Sequence, residues 1–153
     1  MDIPPDNALP DPYGGVRQPA FPWRGRITPH PAAGQPGAID QSPAAATQIA
    51  AFFGSAAPNH FSTAQGKVTY TGPQEWSYRR FILHFANLTV AAGGVDGFIL
   101  GSELRALTTA RGASNAFPAV TALCAIADDA RTVLGPSTRL TYAADWSEYH
   151  SYK

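Results

Sequence analysis

The segment GGVDGFILGSEL, residues 93–104, gives the clearest indication of the fold class. Its middle, 95–101, is short and mostly apolar, which is typical of a strand buried in a parallel sheet. The two glycines before it end a helix, and RLTYAAD at 139–145 is a second strand of the same kind. Because each strand follows a predicted helix after a short link, the order is helix, strand, helix, strand. This alternation predicts an α/β fold with a parallel sheet.

Helix boundaries follow from capping residues and apolar spacing. Ser42 and Pro43 begin a helix that Gly54 ends. The predicted helices are 43–53, 73–92 and 117–134, with a possible short extended piece at 67–71 and loop at 54–66. Residues 1–43 are rich in Pro, Gly and Asp and have no regular period, so we expect a long loop over the active-site face.

The length of the chain limits the architecture. The 153 residues are enough for one domain, but a complete (β/α)₈ barrel needs roughly 250. Two parallel strands do not form a stable sheet alone, and both ends of the chain look cut. We therefore expect one incomplete domain over 1–153 that is marginally stable and has exposed apolar strand edges.

The composition argues against several classes of function. The formal net charge is zero, from 11 basic and 11 acidic residues, so no long-range field attracts nucleic acid or an acidic membrane. No apolar run approaches the ~20 residues that span a bilayer, and the N-terminus does not read as a signal peptide. The single cysteine, Cys124, lies in an apolar helical pattern and is expected to be a small core residue.

Glu103, at the end of the first strand, is the leading catalytic candidate, because function in α/β folds collects where strands end. A carboxyl at the mouth of a barrel, partly shielded from water, can hold a proton near neutral pH. A general acid that protonates a glycosidic oxygen needs that proton. From spacing alone, an equally good interpretation is that Glu103 faces solvent, where it caps the turn or pairs with Arg105.

The second strand ends in Asp145-Trp146-Ser147-Glu148-Tyr149. A tryptophan between two carboxylates can stack on the C–H face of a sugar while the carboxylates bind its hydroxyls. The alternative is that Trp146 belongs to the core. The sequence leaves open which of Asp145 and Glu148 points inward.

Two further clusters are conspicuous. The N-terminal loop contains many aromatic and basic side chains. Either they form a rim of sugar-binding subsites, or they pack against one another and hold the loop in place. These residues are Tyr13, Trp23, Arg24, Arg26 and His30. EWSYRR at 75–80 lies where a helix is predicted to open, and helix packing explains it better than ligand binding.

Other chemistries lack their motifs. The four histidines, His30, His60, His84 and His150, do not have the short spacing of metal ligands. The chain has no GxGxxG, Walker-type or GxSxG motif. We therefore expect no metal and no cofactor.

Five blocks along the chain resemble the TIM-barrel-like domain of gene transfer agent and phage-tail host-specificity proteins. They are PPDNALPDPYGG (4–15), PWRGRIT (22–28), GPQEWSYRRFILHFANL (72–88), GGVDGFILGSELRALT (93–108) and TYAADWSEYH (141–150). Because that domain is similar to glycoside hydrolases, the resemblance implies a partial (β/α)₈ TIM barrel, about the middle third to half of the barrel.

The resemblance also implies roles for particular residues. In barrel glycosidases of this type the acid/base Glu follows the fourth strand, and Glu103 matches it, with Ser102 where many such enzymes have Asn. The nucleophilic Glu follows the seventh strand and would lie beyond Lys153, so the isolated chain is expected to be inactive. The implied substrate-binding residues are Asp145, Trp146, Glu148, Trp23 and Arg24.

Location and partners follow from the same resemblance. It implies a protein made in the cytoplasm and built into the tail tip of a virion or gene transfer agent. There it would meet cell-envelope polysaccharide or peptidoglycan and other tail proteins, with no nucleic acid and no membrane span. The alternative is a non-catalytic structural or receptor-binding tail module. A nucleotide-binding doubly wound domain is a third interpretation, but it lacks a phosphate loop.

Overall fold

The structure, a computed structural model, describes residues 3–149. The helices are α1 (Pro43–Phe53), α2 (Tyr78–Ala91), α3 (Arg105–Thr108) and α4 (Pro118–Leu134). The strands are β1 (Phe61–Ala64), β2 (Lys67–Tyr70), β3 (Gly97–Ser102) and β4 (Arg139–Ala143). Single 3-10 turns lie at Arg24–Arg26, Pro58–His60, Ala113–Asn115 and Trp146–Tyr149.

The chain divides into two compact units. The first comprises Met1–Ala50, Ser102–Val120 and Ala144–Lys153, and the second comprises Ala51–Gly101 and Thr121–Ala143. The buried apolar residues of the first unit are Ala32, Ala45, Ile49, Leu104, Leu107, Ala110 and Ala119. Those of the second unit are Phe53, Ala56, Ile82, Leu83, Ala86, Leu100, Ile126 and Ala130. Both units therefore contain buried apolar residues.

Strands β3 and β4 pair with each other and run parallel. At their starts, the N–H of Arg139 donates to the carbonyl oxygen of Asp96 at 3.0 Å. At their ends, a Cβ built on Gly101 would lie 3.2 Å from the ring of Tyr142. The predicted order of helix, strand, helix and strand is thus confirmed for α2, β3, α4 and β4. Within residues 3–149 this sheet has two strands and does not close into a barrel.

The expectation that β3 is a buried strand is wrong for most of its residues. Leu100 is 6% exposed, but Ile99 is 57% exposed, and Val95 just before the strand is 45% exposed. The physical reason is that successive side chains of a strand point to opposite faces: the face that carries Leu100 is covered, whereas the face that carries Ile99 is open to solvent among the described residues.

The start of α2 differs from the prediction. The helix begins at Tyr78 rather than at 73, and Ser77 is its N-cap, whose Oγ accepts a hydrogen bond from the N–H of Arg80 at 3.2 Å. Glu75 therefore precedes the helix and does not lie in its first turn. Its carboxylate instead bonds back to residues 55 and 56, and this keeps the segment before Tyr78 out of the helix.

A hairpin lies where the sequence analysis predicted mostly loop. Strands β1 and β2 are antiparallel, with Phe61 opposite Tyr70 and Ala64 opposite Lys67. Gln65 and Gly66 connect them with φ values of 51° and 72°. Two left-handed residues ending in glycine are typical of a tight hairpin turn. The extended piece at 67–71 is confirmed as β2, but its partner in 54–66 was missed.

Helix α4 buries a narrower face than its apolar pattern predicted. Ala119, Ile126 and Ala130 are fully buried and share one face at helical spacing. Cys124 is exposed, so its assignment to the core is wrong. The reason is its angular position, since it lies five residues after Ala119 and therefore off the buried face.

Ring contacts and one hydrogen bond join α1, α2 and β3 in the second unit. Phe52 stacks on Tyr78 with ring centroids 5.3 Å apart, and Phe53 meets the same ring edge-on at 5.7 Å. The hydroxyl of Tyr78 donates to the carbonyl oxygen of Leu100 at 2.9 Å. The aromatic cluster therefore holds the start of α2 against β3.

Tyr78→Phe is expected to lower the free energy of unfolding by about 0.5–1.5 kcal/mol, because the rings stay packed while the Leu100 carbonyl loses its donor. Urea unfolding of the full chain measures this change. Tyr70→Phe is the matched control, since the Tyr70 hydroxyl donates to the Pro73 carbonyl at an exposed site, where water can replace it. Equal losses in the two variants would contradict the assignment.

Candidate functional site

Glu103 lies where the chain leaves β3 and turns into α3. Its backbone φ is 52°, in the left-handed region that residues other than glycine seldom adopt. Leu104, which follows, is 2% exposed and belongs to the core of the first unit, and Arg105 begins the helix. The chain therefore turns sharply between a strand and a buried leucine, and Glu103 occupies that turn.

The N-terminal loop supplies both polar partners of Glu103. The indole Nε1–H of Trp23 donates to Oε2 of Glu103 at 3.0 Å. The guanidinium NH2 of Arg24 lies 2.9 Å from the same oxygen. Glu103 thus pairs with Arg24, so the alternative of an Arg105 pair is not what the structure has. The side chain of Glu103 is 33% exposed, which leaves the carboxylate accessible while it is held.

Gly25 makes room for this arrangement. A Cβ at position 25 would lie 2.4 Å from the six-membered ring of Trp23, so any larger residue would displace the indole. Arg24 to Arg26 form a single 3-10 turn, with the N–H of Arg26 bonded to the Trp23 carbonyl at 2.9 Å. The turn and the glycine together determine where the Trp23 ring lies.

The other rim candidates hold the loop itself. Arg26 donates to the carboxylate of Asp11 at 3.1 Å and lies over the ring of Tyr13, 4.2 Å from its centroid. Burial raises the pKa of Tyr13, and the Asp11 carboxylate adds to that rise while Arg26 opposes it. The backbone of His30 bonds to the side-chain amide of Gln48. Of the five candidates, Trp23 and Arg24 are the two that contact Glu103.

The carboxylates after β4 bond mainly within their own segment. Asp145 accepts hydrogen bonds from the hydroxyl and the N–H of Ser147, and these bonds lower the pKa of Asp145. Glu148 accepts from the N–H of Asp145 at 2.7 Å through one oxygen and from the hydroxyl of Thr108 at 2.8 Å through the other. Trp146 is 77% exposed, so it does not belong to the core. The segment presents an indole on a loop that its own carboxylates organise.

A cavity of about 300 Å³ also lies in the first unit. Its lining includes Tyr13, Thr28, Asp40 and Arg105, and it does not include Glu103. The carboxylate of Asp40 is bonded to Arg111, whose NH2 lies 2.7 Å from it. The charged side chains at the cavity therefore include Asp40, which is ion-paired with Arg111, and Arg105.

Neither a group of metal ligands nor a membrane-spanning helix is found among the described residues. Within 3–149 no three His, Cys, Asp or Glu side chains gather into a group that could hold a metal ion. In the same part of the chain, no helix combines the length and the apolar character needed to cross a bilayer.

A comparison with known families gives a match over the second half of the chain. Residues 76–153 match the family model described as the GTA TIM-barrel-like domain, where GTA stands for gene transfer agent. The chain belongs to this family. Membership associates it with gene transfer agent particles. No curated protein matches the chain.

The GTA TIM-barrel-like match includes Glu103 and the segment Asp145 to Glu148, whereas Trp23 and Arg24 lie before it. All six candidate residues, Glu103, Asp145, Trp146, Glu148, Trp23 and Arg24, were expected from the sequence, but the contacts of Trp23 and Arg24 with Glu103 were not. These residues are about 80 positions apart along the chain. No local sequence pattern predicts a contact between residues so far apart, so the contact is known only from the folded structure.

Proposed function

We propose that this chain contributes to a glycoside hydrolase-like barrel in the tail of a gene transfer agent or related phage, with Glu103 as the general acid/base acting on cell-envelope glycan. The observation that carries the proposal is the placement of Glu103. It follows a parallel strand, is partly exposed, and has its carboxylate held by Trp23 and Arg24. Carboxyl ends of parallel strands are where barrel enzymes keep their catalytic groups.

The left-handed backbone conformation of Glu103 supports the proposal that the glutamate side chain has a function at this position. A left-handed conformation costs a residue with a side chain roughly 1–2 kcal/mol relative to glycine. Strain of this kind is common at functional sites, where a particular side chain is needed despite the backbone. Glycine would fit the turn better, so the glutamate at position 103 contributes something that the turn itself does not need.

The hydrogen bonds to Glu103 fix the orientation of its carboxylate. Among the described residues both donors reach Oε2, so Oε1 is the oxygen that meets a substrate. A carboxyl fixed in this way can deliver a proton to a leaving glycosidic oxygen and later take one from water. Hydrolysis also needs a second carboxyl, about 5–5.5 Å away in retaining enzymes.

The segment after β4 has a supporting part in the proposal. Asp145, Trp146 and Glu148 would line the sugar site, with the exposed indole stacking on a sugar ring. Because Asp145 and Glu148 bond within the segment and to Thr108, they keep Trp146 in an exposed position. Trp23 and Arg24 would act through their contacts with Glu103.

One observation favours a second function, a non-catalytic structural or receptor-binding tail module. Each carboxylate of the candidate site already has a partner within the first unit: Glu103 has Arg24, Asp145 has Ser147, and Glu148 has Thr108. A module that only binds its receptor would use carboxylates in this way to shape its loops.

Glycan release distinguishes the two functions. The protein, in the form in which it is built into the particle, is incubated with isolated envelope glycan, and soluble reducing ends are measured for wild type and for Glu103→Gln. Release by wild type alone supports the enzyme. Equal release by both proteins overturns the role of Glu103, and binding without release by wild type favours the receptor-binding module.

A further inference from the structure

We propose that the second unit carries a separate binding site for acidic carbohydrate, built from Trp76, Arg80 and Tyr70. This inference goes beyond the proposed reaction, because it concerns binding by residues of the other unit. It does not depend on whether Glu103 is catalytic.

Trp76 is the observation from which the proposal starts. The sequence analysis attributed EWSYRR to helix packing, but α2 begins only at Tyr78, and Trp76 is 94% exposed. A large aromatic ring that is almost fully exposed to water has no role in the core. The expectation of helix packing is therefore wrong for this residue. An exposed indole presents a flat apolar face of the kind that stacks on the C–H face of a sugar ring.

Arg80 adds a charge to this surface. Its guanidinium lies between two rings, 4.1 Å from the centroid of Tyr70 and 4.2 Å from that of Trp76. Its NH1 donates to the carbonyl oxygen of Glu75 at 2.5 Å, which holds the side chain in place. No ion pair between Arg80 and a carboxylate occurs among residues 3–149. The guanidinium is thus fixed by neutral partners and can bind an external anion.

The carboxylate of Glu75 is held by partners other than Arg80. The carboxylate of Glu75 accepts hydrogen bonds from Ser55, Ala56 and Ser77, on the side of the chain that leads into α2. It therefore does not neutralise Arg80 through a direct contact.

These residues surround a cavity that suits a small part of a glycan. Its volume is about 400 Å³, and it is lined by Tyr70, Trp76, Ser77, Arg80, Phe81 and His84. Small-molecule sites commonly measure 300–1,000 Å³ and combine apolar walls with a few polar groups. Aromatic walls match sugar rings, and Arg80 matches a carboxylate on the sugar. The chemistry therefore points to a saccharide that contains uronic or other carboxylated residues.

The test measures binding of tetra-galacturonic acid and of cellotetraose, which has similar length and no charge, to the full chain by calorimetry. We expect wild type to bind the acidic sugar more tightly. We expect Trp76→Ala to weaken binding of both sugars by about tenfold, which corresponds to the loss of one aromatic contact. Arg80→Gln is expected to remove most of the preference for the acidic sugar. Leu88→Ala, on the same helix but outside the cavity, is the matched control and should bind like wild type.

Several outcomes would overturn the proposal. One is the absence of saturable binding of either sugar, and another is equal binding by wild type and Trp76→Ala. A third is tight binding of poly-glutamate without binding of tetra-galacturonic acid, which would assign the surface to an acidic protein partner. Failure here leaves the Glu103 proposal standing, because that proposal is tested by glycan release and by a different variant.

Discussion

The Glu103→Gln variant is expected to cleave envelope glycan about 10²–10⁴-fold more slowly than wild type, which is the usual contribution of a positioned general acid/base. The free energy of unfolding should change little, because glutamine has the same shape and can still accept hydrogen bonds from Trp23 and Arg24 through its oxygen. Initial rates of reducing-end release, together with urea unfolding of the same samples, separate the loss of chemistry from a loss of folding.

Two further substitutions at position 103 test why a glutamate occupies this turn. In Glu103→Gly the left-handed backbone is relieved, so stability should be retained or rise by up to about 1 kcal/mol after the loss of a partly exposed ion pair. Glu103→Ala keeps the strain and loses the pair, so its stability should fall. Both variants should lose activity. Full activity in Glu103→Gly would contradict a catalytic role, whatever its stability.

Trp23→Phe tests the donor on the N-terminal loop. The ring is kept, but the hydrogen bond from Nε1 to Glu103 is lost, and one such bond corresponds to about a tenfold change in rate. An unchanged rate would mean that Trp23 does not position the carboxylate.

The second large effect is expected for Glu75→Ala in the other unit. The carboxylate of Glu75 accepts from the N–H and hydroxyl of Ser55, the N–H of Ala56 and the hydroxyl of Ser77, at 2.7–3.0 Å. Gly54 lies directly against this cluster, since a Cβ there would be 2.3 Å from Cβ of Ser77. When the carboxylate is removed, its four hydrogen-bond donors must bond to water or remain unpaired. We expect a loss of about 2–4 kcal/mol in the free energy of unfolding.

The pH dependence gives an independent measure of the same contact. Burial alone would raise the pKa of Glu75, but hydrogen bonds from Ser77, Ser55 and Ala56 outweigh it and lower the pKa from 4.5 to about 2. Because the folded-state pKa lies below the ordinary value, the ionised carboxylate stabilises the fold above pH 4.5. This contribution is lost as the pH falls from about 4.5 to about 2.

Glu75→Gln is the matched control for the charge. It keeps one acceptor oxygen, so its loss of stability near neutral pH should be intermediate between wild type and Glu75→Ala. Its unfolding free energy should also fall less steeply than that of wild type between pH 4.5 and 2. Parallel pH profiles for wild type and Glu75→Gln would show that the carboxylate does not provide this stabilisation.

The sequence predicted those elements whose signals are local. Helix α1 begins and ends where Pro43 and Gly54 indicated, and α4 covers nearly the predicted range. The prediction for α2 was less accurate, because the helix was expected to begin at 73, whereas Ser77 caps it and Tyr78 begins it. The hairpin was missed because β1 is short and mostly exposed, and only its turn at Gln65-Gly66 carried a signal.

The exposure of aromatic residues could not be predicted in the same way. Trp76 and Trp146 lie in sequences that suit either a core or a surface, and the structure exposes both. Helical spacing states which residues share a face, but it does not state whether another element covers that face. The same limitation explains why Cys124, which was expected in the core, is exposed.

By itself the sequence determined the alternation of helices and strands, the resemblance to the family, and the position of Glu103 just after β3. These depend on neighbouring residues and on long matching blocks. Tertiary structure alone decided that Trp23 and Arg24 hold the carboxylate of Glu103, that Glu75 bonds back to Ser55 and Ala56, and that Trp76 remains in solvent. The physical reason is that side-chain partners and burial depend on which distant segments meet, and no local period or capping rule contains that information.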